Sequence, residues 1–232
     1  MTTISANLQA VNARILAACA TAGRDVASIR LLAVSKTWPA QAVAEAATAG
    51  QAAFGENYVQ EAVAKIDALA GRDLEWHFIG PIQSNKTRSI AEHFAWVHGV
   101  DRLKIAERLS AQRPMSMAPL QVCVEVNVSG EESKSGVAPA QAEDLCRALA
   151  ALPRLQLRGL MAIPEPTADA TLGRERFAEL RRRRERLALG GLDLDTLSMG
   201  MSDDLEAAIM EGATIVRVGT AIFGRRSYKD KR

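Results

Sequence analysis

Eight short apolar runs, separated by segments with helical periodicity, constrain the fold of this chain more than any other feature. They cover residues 31–36, 52–57, 75–80, 95–100, 120–128, 155–163, 195–200 and 214–222. Strands that alternate with helices form right-handed βαβ units, and such units build a parallel sheet. Eight units in 232 residues predict an α/β fold, a closed (β/α)8 TIM barrel. An open doubly wound sheet is the alternative, which the missing GxGxxG turn disfavours.

The segment before the first run has the pattern of an additional helix. Apolar residues recur at helical spacing from Ile4 to Cys19, and Gly23 is a typical helix stop. We expect residues 1–25 to contribute an N-terminal helix that packs on the barrel. No linker or change in composition divides residues 1–232, so we expect a single domain.

The composition, 48% hydrophobic and 24% charged, is that of an ordinary globular protein. A net charge of +2 is too small to indicate binding to nucleic acid or to a membrane surface. No apolar run is as long as a membrane span, and the first residues do not form a signal peptide, so we expect a cytoplasmic protein. Cys19, Cys123 and Cys146 lack the spacing of a metal site or a redox motif.

Polar residues gather where the predicted strands end, which is where barrel proteins place their chemistry. Lys36 ends the first run and, by strand alternation, shares a face with Leu32 and Val34. If that face is interior, partial desolvation lowers the pKa of the Lys36 amine, which can then condense with an aldehyde to a Schiff base. The alternative is a lysine that extends out of the barrel to a carboxylate such as Glu56.

The loops after the last two runs have features of a phosphate site. "SMGMS" (198–202) is followed by a predicted helix for which Ser202 or Asp203 is a good N-cap, and "RVGTAIFG" (217–224) contains Gly219 and Thr220. Glycine allows close approach of the backbone, and free N–H groups at a helix start favour an anion. Each loop alone is ordinary turn and cap chemistry. Together they occupy the usual phosphate position of a barrel, after strands seven and eight.

Arg217 lies two residues before Gly219, on the same face of the last predicted strand. A buried arginine stays protonated and needs an acceptor, which is either a carboxylate of the barrel or an atom of a ligand. A lysine, a phosphate cradle and a deep cationic donor together indicate a pocket for a phosphorylated aldehyde.

Six motifs match a known family in the same order along the chain. They are "AVSKTWP", "FGENYVQE", "EWHFIGPIQSNK", "VNVSGEESKSG", "LSMGMSDDLEAAI" and "RVGTAIFGRR". From about Leu31 to the C-terminus, the chain resembles the pyridoxal phosphate homeostasis protein family. That family resembles the barrel domain of alanine racemase, and the resemblance implies that pyridoxal 5'-phosphate (PLP) is carried as an aldimine.

The resemblance also implies roles for individual residues. Lys36 matches the lysine of the internal aldimine, Arg217 the arginine that faces the pyridine nitrogen, and Asn57 a polar residue near the ring. The residues that match the phosphate-binding loops are Ser198, Met199, Gly200, Ser202, Gly219 and Thr220. His77 is either part of the pocket wall or a buried structural histidine. Lys134 matches a loop lysine of the family, for which a solvated surface position is the default.

Two features favour a carrier of PLP over an enzyme. An arginine at the pyridine nitrogen weakens the electron sink that PLP-dependent catalysis needs. Enzymes resembling alanine racemase take a second base, a tyrosine, from an additional domain, whereas this chain ends soon after the last predicted strand and neither Tyr58 nor Tyr228 has a matching context. We expect a non-catalytic monomer that buffers PLP or delivers it to PLP-requiring apoenzymes.

Three other functions stay open at this point. A weak amino-acid racemase or lyase would use the same lysine and cofactor, and a Schiff-base aldolase would use the lysine with a sugar phosphate. Nucleic-acid binding through the arginine-rich segment 174–187 is the third. The net charge is low, and the apolar stripe of Phe177, Leu180 and Leu187 favours a helix with a solvated face there.

Overall fold

A computed structural model describes residues 3–130, 135–167 and 169–225. The predictions for Lys134 and Tyr228 fall outside these residues.

Eight parallel strands form a closed barrel in chain order, and β8 pairs with β1. The strands are β1 (Arg30–Val34), β2 (Ala53–Glu56), β3 (Glu75–Phe78), β4 (Trp96–Val100), β5 (Leu120–Glu125), β6 (Leu155–Met161), β7 (Thr196–Ser198) and β8 (Ile215–Val218). The predicted TIM barrel is therefore confirmed, and the open sheet is wrong. Every predicted run overlaps one strand; β1 begins one residue before its run, at Arg30, and several strands end before their runs do. In the last run the strand ends at Val218, because a short helix begins at Thr220.

The helices surround the barrel, one after nearly every strand. Their bounds are α1 (Ile4–Ala22), α2 (Ala40–Thr48), α3 (Val59–Ala68), α4 (Thr87–His93), α5 (Leu103–Gln112), α6 (Ala142–Ala150), α7 (Ala170–Leu189), α8 (Leu205–Met210) and α9 (Thr220–Phe223). In the described part of the chain, 3-10 turns cover Val26–Ser28, Ser84–Lys86 and Pro139–Gln141.

Helix α1 precedes the barrel and packs on α8 and α9. Thr3 caps its first turn by accepting a hydrogen bond from the Ala6 amide, and Gly23 ends it in the left-handed conformation, with φ 64°. The Asn7 side chain donates to the Ile222 carbonyl at 2.8 Å, and Arg14 donates to both carboxylate oxygens of Glu206. The additional helix thus supports the two helices that follow β7 and β8.

Apolar side chains form two layers, one between the sheet and the helices and one inside the barrel. The interior layer consists of Leu32, Val34, Ala53, Ile79, Trp96, Cys123, Met161 and Ile215. On β1, Leu32 and Val34 point inward and Ala33 points outward, which is the alternation expected of a strand. All three cysteines are buried and free.

The arginine-rich helix α7 buries Phe177, Leu180 and Leu187, as the apolar stripe predicts. Several of its arginines pair with acidic residues; for example, Arg174 bonds to Glu211, the residue after α8, at 2.6 Å. This pairing favours a solvated helix face. Among the described residues, no helix is long and apolar enough to cross a membrane.

Candidate functional site

Lys36 lies just beyond β1, at the rim where the carboxyl ends of the strands meet. It is partly buried, and the chain turns directly after it, because Thr37 adopts a positive φ of 69°. Glu61 of α3 fixes this turn by accepting a hydrogen bond from the Thr37 amide at 2.5 Å. Since β1 pairs with β2 and β8, Lys36 is placed between the strand ends that carry Asn57 and Arg217.

Lys65, which the sequence analysis did not consider, bonds to the Glu56 carboxylate beside this turn. Lys65 of α3 donates to Glu56 Oε1 at 2.7 Å, to the Ser35 carbonyl at 2.7 Å and to Glu61 Oε1 at 2.6 Å. Ser35 also donates to Glu56 Oε1, at 2.6 Å. Ser35 and Lys65 therefore occupy Glu56 Oε1, and the alternative in which Lys36 extends to a carboxylate stays a prediction. Burial raises the pKa of Glu56 despite the lysine.

Two polar atoms near the rim are buried without a hydrogen-bond partner among the described residues. They are Glu56 Oε2 and Asn57 Oδ1. Buried polar atoms are normally satisfied, so an orphaned amide oxygen fits a place where a bound group supplies a donor. Gly80 allows the close approach of β3 to this point, since a Cβ there would lie 2.5 Å from the Asn57 carbonyl oxygen.

Arg217 of β8 is buried under the same rim, where it faces the interior beside Leu32. Its Nη1 donates to Ser198 Oγ at 2.8 Å and its Nη2 to the Ala162 carbonyl at 3.0 Å. Within the described residues no carboxylate forms an ion pair with it. Burial lowers the pKa of Arg217 to about 10, so the guanidinium stays charged near neutral pH.

Glu125, at the end of β5, brings a carboxyl into this interior that the sequence analysis missed. Burial, with a smaller contribution from the charge of Asp101, raises the pKa of Glu125 to about 7, although the charge of Arg217 opposes the shift. The side chain is 6% exposed. Strand alternation from the interior Cys123 could have indicated this position, since Glu125 is two residues further along the same strand.

The two glycine-containing loops lie side by side, as predicted. Ser202 Oγ accepts a hydrogen bond from the Ala221 amide at 3.3 Å, which joins the loop after β7 to the start of α9. Gly200 has φ 91°, and a Cβ there would come within 2.5 Å of the Ala208 Cβ. Gly219 lies against β1, where a Cβ would be 3.1 Å from the Val34 carbonyl oxygen. Thr220 is exposed.

Ser198 and Met199, also predicted for the phosphate loops, have side chains that are engaged elsewhere. Met199 is fully buried in the outer apolar layer. Ser198 is fully buried in the barrel interior and contacts Arg217. The structure therefore brings Ser202, Gly200, Gly219 and Thr220 together at the loops and Ser198 together with the arginine.

Hydrogen bonds continue from Ser198 through two buried histidines to the opposite end of the barrel. His98 Nδ1 lies 2.8 Å from Ser198 Oγ, and His98 Nε2 lies 2.8 Å from His77 Nδ1. His77 Nε2 lies 2.8 Å from Glu75 Oε1, and Arg30 pairs with the same carboxylate. His77 is fully buried below the rim, as expected of a structural histidine.

The fold and the sequence of this chain match those of a known family. The model of the family described as alanine racemase, N-terminal domain, matches residues 6–227. The pyridoxal phosphate homeostasis protein of Pseudomonas aeruginosa is 63% identical over 228 residues, 98% of each chain. That of Escherichia coli K12 is 53% identical over 239 residues, 100% of each chain.

A solved structure agrees with these relatives. PipY of Synechococcus elongatus, in a structure with PLP bound, is 38% identical with a TM-score of 0.84, covering 96% of this chain and 100% of PipY. This chain belongs to the pyridoxal phosphate homeostasis protein family. The resemblance found in the six motifs is thereby confirmed.

Proposed function

We propose that this chain binds PLP at the carboxyl end of the barrel and acts in PLP homeostasis, with the Lys36 amine as the covalent anchor. The observation that carries the proposal is the convergence of Lys36, Asn57, Arg217 and the glycine loops at one rim. The PLP-bound structure of PipY, with the same fold, supports it. PLP would supply an aldehyde for the lysine and a pyridine ring that withdraws electrons.

The residues at the rim suit the parts of this cofactor. The Asn57 side chain, whose Oδ1 has no partner among the described residues, and the remaining N–H groups of Arg217 are available to the ring. The phosphate would be held by the Ser202 and Thr220 hydroxyls and by backbone N–H groups of the loops around Gly200 and Gly219. Ser198 and Met199 would support these loops from beneath, since Ser198 Oγ accepts from Arg217 and the Met199 amide donates to the Ile215 carbonyl at 3.1 Å.

Arg217 favours a carrier over an enzyme. A guanidinium has only donors, so it bonds to an unprotonated pyridine nitrogen and disfavours the protonated ring that stabilises carbanions. We therefore propose a non-catalytic protein that buffers PLP or passes it to PLP-requiring apoenzymes. Three free, buried thiols suit the reducing cytoplasm.

A monomer suits the exposed apolar side chains, which lie on different elements. Leu16 is on α1, Met115 follows α5, and Leu189 ends α7. Scattered apolar residues are normal on a monomer surface. Sedimentation at several protein concentrations tests this part of the proposal, and a concentration-independent mass near 25.0 kDa is expected.

Glu125 is the observation that favours weak catalysis as a second candidate function. A carboxyl with a pKa of about 7 near the rim is poised to accept a proton close to neutral pH. Exchange of amino-acid α-protons in D2O, lost in both Glu125→Gln and Lys36→Ala, would support a weak racemase or lyase. If α-proton exchange is no faster than with free PLP, the carrier function stands and weak catalysis is contradicted.

The visible spectrum, borohydride reduction and peptide mass mapping test the proposed function. We expect a yellow protein and, after reduction, a pyridoxyl-phosphate adduct on Lys36. Lys65 is the internal comparison, because its amine already donates to three oxygens and is not free to attack an aldehyde. A colourless protein that takes up no added PLP would contradict the proposal and would return attention to the sugar-phosphate aldolase.

A further inference from the structure

The hydrogen bonds between Arg217 and Glu75 form one continuous line through the barrel interior. We call this line, made of Arg217, Ser198, His98, His77 and Glu75, the interior chain. Its three bonds through the histidines are each 2.8 Å long, and both histidines are fully buried. It joins the rim, where Arg217 lies, to the amino end of the barrel, where Glu75 begins β3.

Both histidines of the interior chain are neutral, which limits each to one donor and one acceptor nitrogen. Burial lowers the pKa of His77 and lowers that of His98 well below 6.5. At the far end, the hydrogen bond from His77 and the charge of Arg30 help to keep the pKa of Glu75 below its ordinary value. Glu75 is therefore an ionised carboxylate, which can only accept.

The carboxylate determines the direction of every bond in the interior chain. His77 must donate from Nε2 to Glu75, so its Nδ1 is an acceptor. His98 must then donate from Nε2 to His77, and its Nδ1 is an acceptor as well. The Ser198 hydroxyl consequently donates to His98, and its lone pairs face the Nη1 group of Arg217.

We propose that Glu75 and His77 are positioning residues for Arg217, acting through His98 and Ser198; this rests on the proposed function only for the cofactor that the arginine faces. The hydroxyl proton of Ser198 is committed to His98, so the serine presents an acceptor to Nη1, while the Ala162 carbonyl holds Nη2. These two acceptors fix the plane of the guanidinium. The reverse direction would aim His98 Nδ1–H at Ser198 and leave a buried hydroxyl proton to find another acceptor.

The PLP-free protein provides the first test. Two-bond ¹⁵N–¹H spectra recorded near neutral pH should show His77 and His98 as neutral Nε2–H tautomers. Arg217 should give separate resonances for its two Nη groups, because rotation of a guanidinium held at both is slow. A Nδ1–H tautomer or a charged ring at either histidine would overturn the proposal.

Variants at Glu75 and Arg30 distinguish an effect of hydrogen-bond direction in the interior chain from an effect of packing. Glu75→Leu removes the acceptor for His77 Nε2–H. Glu75→Gln keeps an oxygen at the same place and should preserve this hydrogen bond. Arg30→Gln is the matched control, since it removes the ion pair but leaves the carboxylate. Both sites reach the surface, with side-chain exposures of 49% for Arg30 and 36% for Glu75, so the fold should tolerate all three variants.

We expect only Glu75→Leu to change the histidine tautomers and to merge the Arg217 Nη resonances. In the loaded protein, the same variant should weaken PLP binding about three- to tenfold, the effect of one buried hydrogen bond. Unchanged tautomers, Nη resonances and affinity in Glu75→Leu would overturn the proposal. If the wild-type protein binds no PLP, the proposed function fails, but the spectra of the PLP-free protein still decide the role of Glu75.

Discussion

Lys65 Nζ lies 2.7 Å from Glu56 Oε1, and the two side chains are only 5% and 0% exposed. Breaking a buried pair by removing one partner leaves the other charge without compensation. The pair stands directly beneath the turn of Lys36, because Lys65 also bonds to the Ser35 carbonyl. The buried pair therefore supports the rim as well as the fold.

Lys65→Met should destabilise the protein by about 3 kcal/mol near neutral pH, measured by urea unfolding. The loss should shrink in acid. The pKa of Glu56 is already raised by burial and rises further without the lysine, so at low pH the carboxyl is neutral in the folded variant. Glu61→Gln is the control, because Glu61 is 29% exposed and its loss should cost at most about 1 kcal/mol. Equal stability of Lys65→Met and the wild type would contradict this account.

Lys36→Ala should abolish the borohydride-stable adduct while leaving the unfolding free energy within about 0.5 kcal/mol of the wild type. The turn after Lys36 is held by the Thr37 amide and Glu61, which the substitution does not remove. Phosphate and ring contacts should still hold PLP, more weakly, and equilibrium dialysis measures this residual binding. An adduct that persists in Lys36→Ala would assign the anchor to another amine.

Strand order and the rim residues could be predicted from the sequence because both follow from local patterns. Eight apolar runs determine the barrel, and residues at their carboxyl ends must meet at one rim. Lys36 and Arg217 were found in this way, whereas Asn57 was named from the resemblance to the family.

The partners of the buried polar groups could not be predicted in the same way. Lys65 follows Glu61 by four residues, which is typical of an exposed helix face, yet the lysine is 4% exposed. The bond between His98 and Ser198 joins residues 100 positions apart and depends on the relative rotation of β4 and β7 in the closed barrel. Local periodicity carries no information about that rotation.

Arg217→Ala should weaken the binding of PLP further than Lys36→Ala does. It should also destabilise the barrel. The Ala162 carbonyl and Ser198 Oγ would each lose a donor in a buried place, at about 1–3 kcal/mol for each unsatisfied group. Thermal unfolding of the PLP-free variant measures the structural part. Arg217→Lys is the comparison, since it keeps a charge but lacks the fork that reaches both acceptors. A stable Arg217→Ala variant would show that water replaces these donors.

Glu125 should make the stability of the protein fall as the pH rises from about 4.5 to about 7. The pKa of the folded carboxyl, about 7, is above the ordinary 4.5, so the folded state binds more protons than the unfolded state within this window. Ionisation above pH 7 therefore costs the folded state about 2–4 kcal/mol relative to acid conditions. Glu125→Gln, which stays neutral and nearly isosteric, should remove this slope and be more stable than the wild type at pH 8. Urea unfolding of both proteins from pH 4.5 to 8 measures the difference, and parallel curves would show that Glu125 ionises normally in the folded state.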